Sequence, residues 1–139
     1  ALHGCRIGIV EDDAEVLDAL AMLLARWGCS TCAGTDAASR LAACGAQPPQ
    51  WLLVDYNLGA GRTGRREAAR VFDALGRALP VLVVTGEQSA ERVRELQRLD
   101  WRWLPKPVAP QTLRQALAEL IADDAGGRRG ARDAREATT

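Results

Sequence analysis

The sequence predicts an α/β fold in which a doubly wound, five-stranded parallel sheet carries helices on both faces. Short apolar runs alternate with longer stretches of helical periodicity along the 139 residues, which is typical of a parallel sheet with crossover helices. The strand-like runs are apolar almost throughout, as expected of strands that are covered on both faces. Polar residues follow directly after most of these runs.

The strand candidates lie at 5–10, 29–33, 51–55, 80–85 and 101–104. The helix candidates lie at 14–27, 36–44, 65–78, 88–98 and 110–122. In the first helix, Val16, Leu20 and Leu24 recur at helical spacing, with Asp13 as the predicted N-cap and Gly28 as the stop. Residues 45–50, which contain two prolines, and the Gly-rich segment 57–64 are predicted loops.

A single domain is predicted over residues 1–123. Residues 124–139 are polar and Gly/Arg-rich, with no apolar period, so they are predicted to form a disordered tail or linker. The net charge is zero and no apolar run approaches the ~20 residues that cross a bilayer, so neither nucleic acid nor a membrane is an expected partner. The missing initiator Met suggests a segment of a larger protein.

The spacing of two cysteines suggests a redox or zinc site, but their position in the predicted fold argues against both. Cys29 and Cys32 form a C-x-x-C pair, but it falls on a predicted strand rather than at the start of a helix. A zinc site needs four ligands, and the only histidine, His3, lies in a segment expected to be frayed. Small buried thiols in a reducing cytosol are therefore the favoured interpretation.

Acidic, hydroxyl and ammonium groups follow four of the predicted strands. Glu11 and Asp12 follow the first strand, Asp55 ends the third, Thr85 the fourth, and Lys106 follows the fifth. In doubly wound sheets the carboxyl ends of the strands form the ligand site, so these side chains are expected to converge. Converging carboxylates repel one another unless a cation neutralises them, which favours a Mg²⁺ site.

Lys106 is the only lysine among 18 basic residues. A compact ammonium on a flexible stem suits contact with a phosphoryl oxygen in a narrow site. Chance is the alternative explanation for one lysine in an arginine-rich chain, but its place after an apolar strand and between two prolines favours a function.

Four segments resemble the signature segments of bacterial response-regulator receiver domains: IVEDD (9–13), LLVDYNL (52–58), VVTGE (83–87) and LPKPV (104–108). Each one alone is common, whereas all four in this order and spacing are specific. The resemblance covers about residues 5–122. It implies the flavodoxin-like strand order 2-1-3-4-5.

The resemblance assigns Asp55 as the phosphoacceptor. It makes Glu11 and Asp12 the acidic pair that binds Mg²⁺ together with Asp55, and it assigns the backbone carbonyl of Asn57 to the same metal. Asp13, the next residue after the pair, belongs instead to the start of the first helix.

The remaining roles that the resemblance implies concern the two last strands. Thr85 would bind a phosphoryl oxygen through its hydroxyl and Lys106 would pair with another. Thr85 and Trp103 would form the switch, with Trp103 where the family more often carries Tyr or Phe. The Lys106–Pro107 bond resembles one that is often cis in this family.

The loop after Asp55 departs from the family pattern. Gly59 stands where a proline is usual, and Thr63 stands where a glycine is usual, with Gly64 one place later. A loop that is one residue longer or reshaped is therefore expected beside the acceptor.

The resemblance implies a cytoplasmic signalling domain that catalyses its own phosphorylation and dephosphorylation, with a histidine kinase or phosphotransfer domain as partner. The two ends of the domain look most like receivers fused behind histidine kinases. A stand-alone receiver, a receiver fused to an output domain, and a homodimer stay open.

Three other functions compete with the phosphoacceptor. A receiver fold can act as a phosphorylation-independent interaction module. A haloacid-dehalogenase-like phosphatase would need a second Asp two residues after Asp55, where this chain has Asn57. An FMN binder would need a Ser/Thr/Gly-rich loop after the first strand, where this chain has acids.

Overall fold

The computed structural model describes residues 2–33, 47–56, 63–86 and 89–125. The strands of this part are β1 Arg6–Val10, β2 Ser30–Ala33, β3 Trp51–Asp55, β4 Val81–Thr85 and β5 Arg102–Pro105. Its helices are α1 Ala14–Arg26, α2 Gly64–Leu75, α3 Ala90–Leu99 and α4 Pro110–Ala125. The helix predicted at 36–44, the loop residues Asn57 and Gly59, and most of the predicted tail lie outside the described residues.

The five strands form one parallel sheet in the order β2-β1-β3-β4-β5, which confirms the predicted fold class. β3 lies at the centre, where Val54 is in register with Val10 of β1 and Val83 of β4. The chain reverses its direction of winding between β1 and β3, and ligands of such sheets bind at this reversal. None of the described helices is long and apolar enough to cross a bilayer.

Each face of the sheet carries its own apolar core. Because side chains alternate along a strand, Trp51 and Leu53 of β3 pack on one face, while Leu52 and Val54 pack on the other. The first face is covered by α1 and α4 and the second by α2 and α3. This double cover explains why β3 is apolar at four successive positions.

The amino-terminal segment is packed, so the expectation of fraying there was wrong. Leu2 is 4% exposed and belongs to the first core, because the chain folds back over the end of α1. The Gly4 N–H donates a hydrogen bond to the Gly28 carbonyl at 2.8 Å. Gly28 adopts φ 89° and ends α1, as predicted.

The cysteines follow the sequence interpretation only in part. Cys5 and Cys29 are buried free thiols, and burial raises the pKa of both. Cys32 is also buried but is disulfide-bonded, so the expectation of a free thiol was wrong for this residue. The C-x-x-C pair itself is not a disulfide, because Cys29 is a free thiol.

The start of α1 agrees with the sequence prediction, whereas the ends of α2 and α4 differ from it. Asp13 caps α1 as predicted: its carboxylate accepts hydrogen bonds from the N–H groups of Glu15 at 2.9 Å and Val16 at 3.4 Å. The predicted helix at 65–78 instead ends at Leu75, because Gly76 adopts a left-handed φ of 77°. At the other end of the chain, α4 continues to Ala125, beyond the predicted stop at 122.

Replacing the α1 cap tests this part of the fold. Asp13→Ala should lower the free energy of unfolding by about 1 kcal/mol, because two N–H groups of the first turn lose their acceptor. Asp13→Asn keeps an acceptor oxygen and should stay close to wild type. Urea unfolding followed by circular dichroism measures both, and equal losses in the two variants would contradict the capping role.

Candidate functional site

An ion pair between Asp55 and Lys106 joins the ends of two strands. Asp55 is the last residue of β3, and its Oδ2 lies 3.0 Å from the Lys106 Nζ, just beyond β5. Asp55 is only 9% exposed, whereas the Lys106 side chain is 42% exposed. A carboxylate with so little access to water depends on this ammonium for much of its stabilisation, so the pair fixes the floor of the site.

Glu11 places a second buried carboxyl group beside Asp55. Its Oε2 accepts the N–H groups of Asp12 at 2.8 Å and Asp13 at 3.0 Å, and its carboxyl group lies close enough to Asp55 for the two to interact electrostatically. Burial raises the pKa of Glu11, and the Asp55 carboxyl group raises it further, while the Asp13 N–H and Lys106 oppose the shift. The structure therefore brings Glu11 and Asp55 together, whereas the third predicted acid, Asp12, is exposed.

The oxygen atoms at this edge suit a hard cation. Asp55 Oδ1 is buried and accepts no hydrogen bond, so one carboxylate oxygen next to Glu11 still lacks a donor or a cation. Carboxylate oxygens of this kind are the ligands that Mg²⁺ prefers. Within the described ranges, no three His, Cys, Asp or Glu side chains are already gathered around a metal position. Asn57, the remaining predicted ligand, lies outside these ranges.

Thr85 is held at the same edge by the junction of β4 and β5. Its side chain is fully buried, and its carbonyl accepts the Lys106 N–H at 2.9 Å. In the register of the sheet, Asp55 lies opposite Val84, so Thr85 extends one residue beyond the end of β3. The Lys106–Pro107 peptide bond is cis, as the resemblance implied.

Trp103 lies on the opposite side of β5 from the first core. It is half-buried, is in register with Val83, and packs against the core that α2 and α3 cover. The structure therefore places this predicted switch residue in β5, three residues before Lys106, on the α3 side of the sheet.

A family model matches most of the chain and assigns it to a protein family. The family model described as "Response regulator receiver domain" matches residues 7–118, most of the chain. The chain is a member of this family. No curated protein matches it at a significant level.

Solved structures show the same fold. The Vibrio cholerae chemotaxis protein CheY4 is 23% identical, with a TM-score of 0.70, 84% of this chain covered and 98% of that chain. A CheY-like receiver domain protein from Methanospirillum hungatei is 25% identical, with a TM-score of 0.70, 88% of this chain covered and 98% of that one. NtrX from Brucella abortus, in complex with ATP, is 22% identical with a TM-score of 0.73, and the match covers 91% of this chain and 29% of NtrX.

Gly64 explains one departure of this receiver domain from the family pattern. A Cβ atom at this position would lie 2.4 Å from Val54 Cγ1 and 2.9 Å from both the Asp55 carbonyl oxygen and the Tyr56 Cα. The Gly64 N–H also donates to the Tyr56 carbonyl at 2.8 Å. The tight contact after β3 is thus made by Gly64, while Thr63 caps α2: its hydroxyl accepts a hydrogen bond from the Arg66 N–H at 3.2 Å.

A polar cluster around Tyr56 was not predicted from the sequence. Tyr56 is 2% exposed, and the Arg92 guanidinium lies 3.8 Å from the centre of its ring. Its hydroxyl is hydrogen-bonded to Glu95, which also pairs with Arg65 at 3.3 Å and Arg92 at 3.7 Å. Tyr56, the residue after Asp55, is therefore connected to both α2 and α3. The i, i+3 spacing of Arg92 and Glu95 is the one signal in the sequence for part of this cluster.

The pKa of Tyr56 offers a direct test of this cluster. Burial, followed by the Glu95 carboxylate, raises the pKa to about 12. Tyr56 is the only tyrosine, so the ultraviolet absorbance of phenolate in the native protein reports this residue alone. We expect a midpoint near 12 in the native state and about 10 in urea. Glu95→Gln should lower the native midpoint.

The same shift sets the sign of a stability effect. The stabilisation from neutral Tyr56 is complete below about pH 10, where the hydroxyl is protonated in both states. Above that pH the unfolded chain loses the proton first, so this stabilisation declines until the pH passes the folded pKa of about 12. Tyr56→Phe should lack this decline in urea unfolding. A native midpoint near the ordinary value of about 10 would contradict both expectations.

Proposed function

We propose that this receiver domain accepts a phosphoryl group on Asp55 from a phosphohistidine of a histidine kinase or phosphotransfer domain, in a Mg²⁺-dependent reaction. The observation that carries the proposal is the contact between the buried Asp55 carboxylate and Lys106, the only lysine, at 3.0 Å. Membership of the receiver family supports it over the phosphatase and FMN-binding alternatives.

Asp55 supplies the nucleophile. Its Oδ2 is paired with Lys106, while Oδ1 accepts no hydrogen bond and is therefore the oxygen free to attack phosphorus. A P–O bond forms to Oδ1 as the P–N bond of the phosphohistidine breaks, and the bonding electrons leave with the imidazole nitrogen. The product is an acyl phosphate, which water hydrolyses slowly at the same site.

The acidic edge would hold the metal. Asp55 and Glu11 are already adjacent, and Asp12 would turn inward from its exposed position. When bound there, Mg²⁺ would offset the negative charge that the phosphoryl oxygens bring to the carboxylates. The backbone carbonyl of Asn57 is the further ligand implied by the family resemblance.

Lys106 and Thr85 would then hold the transferred group. Once Asp55 carries the phosphoryl group, its carboxyl group is neutral and the negative charge lies on the phosphoryl oxygens, which the exposed, flexible Lys106 side chain can follow. Thr85 would donate its hydroxyl to another phosphoryl oxygen. Because Thr85 is fully buried and its carbonyl is bonded to the Lys106 N–H, such a movement would shift the ends of β4 and β5 together.

Phosphorylation with acetyl phosphate tests this proposal. We expect one phosphoryl increment in intact mass that requires both Mg²⁺ and Asp55, so Asp55→Asn should show none. Lys106→Met should slow the reaction at least ~10-fold, because the charge of the transferred group loses its cation. Asp12→Asn should weaken the dependence on Mg²⁺.

Asp13→Asn is the matched control for Asp12→Asn, because it removes an adjacent carboxylate while retaining the α1 cap. If wild type takes up no phosphoryl group from acetyl phosphate or from phosphorylated kinase, and beryllofluoride with Mg²⁺ leaves the amide spectrum unchanged, the phosphoacceptor proposal fails. The phosphorylation-independent interaction module would then replace it.

A switch through Thr85 and Trp103 makes a separate prediction. Beryllofluoride with Mg²⁺, a stand-in for the phosphoryl group, should change the fluorescence of Trp103, because β5 moves with Thr85. The change should vanish in Trp103→Phe and in Thr85→Ala but persist in Trp27→Phe, whose indole lies on the other face near Arg114. A change that survives in Trp103→Phe would remove Trp103 from the switch.

We further infer that the domain works in the cytoplasm, fused behind a histidine kinase. The resemblance of its two ends to such receivers supports this placement. The coding sequence upstream of the first residue tests it directly, since a kinase core should be encoded there in frame.

A further inference from the structure

A large apolar cavity opens directly beside the acceptor. It has a volume of about 640 Å³ and lies between α1 and α4 on the first face of the sheet. Leu20 and Leu23 of α1 line one side, Leu113 of α4 the other, and Leu53 and Val84 of the sheet form the floor. This volume is in the range of small-molecule sites, which are typically apolar with a few polar groups at one end.

The polar end of the cavity is the acceptor site itself. Glu11, Asp55 and Lys106 line it together with the apolar residues. Two carboxyl groups therefore face one ammonium, and that ammonium is already engaged with Asp55 Oδ2. The Asp55 residue is 9% exposed, and its buried Oδ1 atom accepts no hydrogen bond. The mouth of the cavity thus needs a hydrogen-bond donor or a positive charge, whereas an anionic ligand would meet two carboxyl groups.

We propose that the cavity binds a small amphipathic amine, with its apolar chain between α1 and α4 and its ammonium group donating to Asp55 Oδ1. The ligand class follows from the two ends of the cavity: apolar side chains enclose the chain, and carboxyl oxygens receive the ammonium. This binding site goes beyond the phosphoacceptor function and does not require it.

Occupancy of the cavity would interfere with the acceptor chemistry. An ammonium group on Asp55 Oδ1 would block the oxygen that attacks phosphorus, and its positive charge would stand beside Asp55 and Glu11, where Mg²⁺ would otherwise bind. The amine and Mg²⁺ therefore exclude each other, so the level of such an amine would set the fraction of receiver domains able to accept a phosphoryl group.

The first experiment measures binding without metal or phosphoryl donor. Amide-shift titrations by NMR compare hexylamine, butylamine and hexanoate at neutral pH. Each buried methylene should tighten binding by roughly fourfold, so hexylamine, with two more methylenes, should bind about 15-fold more tightly than butylamine. Hexanoate, which has a chain of the same length but the opposite charge, should bind at least ~10-fold more weakly than hexylamine.

A pair of α1 variants tests the location. Val16 lines the cavity but is 41% exposed, so Val16→Trp can place an indole in the mouth without disturbing the core. It should weaken hexylamine binding at least ~5-fold. Met22, on the same helix, is 71% exposed and does not line the cavity, so Met22→Trp should bind hexylamine like wild type.

The final experiment titrates Mg²⁺ into the hexylamine complex, and the apparent dissociation constant of hexylamine should rise linearly with the concentration of free Mg²⁺. Equal binding of hexanoate, no dependence on chain length, an unchanged affinity in Val16→Trp, or independent binding of amine and Mg²⁺ would each overturn the proposal. The binding experiments contain no phosphoryl donor, so a failure of phosphorylation leaves their outcome unaffected and the two proposals can fail separately.

Discussion

The buried carboxylate of Asp55 is the constraint on which the rest of this edge depends. A charge that is only 9% exposed is tolerated because Lys106 lies 3.0 Å away, and that contact requires β3, β4 and β5 to be adjacent and parallel. The Thr85 carbonyl holds the Lys106 backbone at the same level. Strand order, the β4–β5 junction and the position of one ammonium group are thus parts of a single electrostatic arrangement.

β3 contributes side chains to both apolar cores, so its residues contact different neighbours on the two faces of the sheet. Leu53 contributes to the cavity between α1 and α4, while Val54 and Tyr56 lie in the core beneath α2 and α3. Asp55 lies between them at the end of the strand. The Asp55 carboxylate is therefore next to both faces of the sheet. It lines the cavity on the first face, and the following residue, Tyr56, contacts Arg92 and through it Glu95 on the second face.

Much of this could be predicted from the sequence because continuous apolar strands and the carboxyl-end rule are strong signals. They predicted the ends of the strands to within one or two residues, and they predicted that Asp55 and Lys106 would lie close together. The end of α2 at Gly76, the packing of Leu2 and the contact of Tyr56 with Glu95 depend on left-handed backbone or on contacts distant in sequence, which periodicity does not report. The role of Asn57 stays a prediction.

Gly64 determines how closely α2 can approach β3. Its missing side chain lets α2 begin directly against the backbone of Asp55 and Tyr56, and its N–H is bonded to that backbone. The start of α2 is therefore held against the end of β3 by direct contacts of Gly64 with Val54, Asp55 and Tyr56. Any side chain at this position would push the helix away from the strand, so the distance between α2 and the Asp55 backbone is set by the absence of a single methyl group.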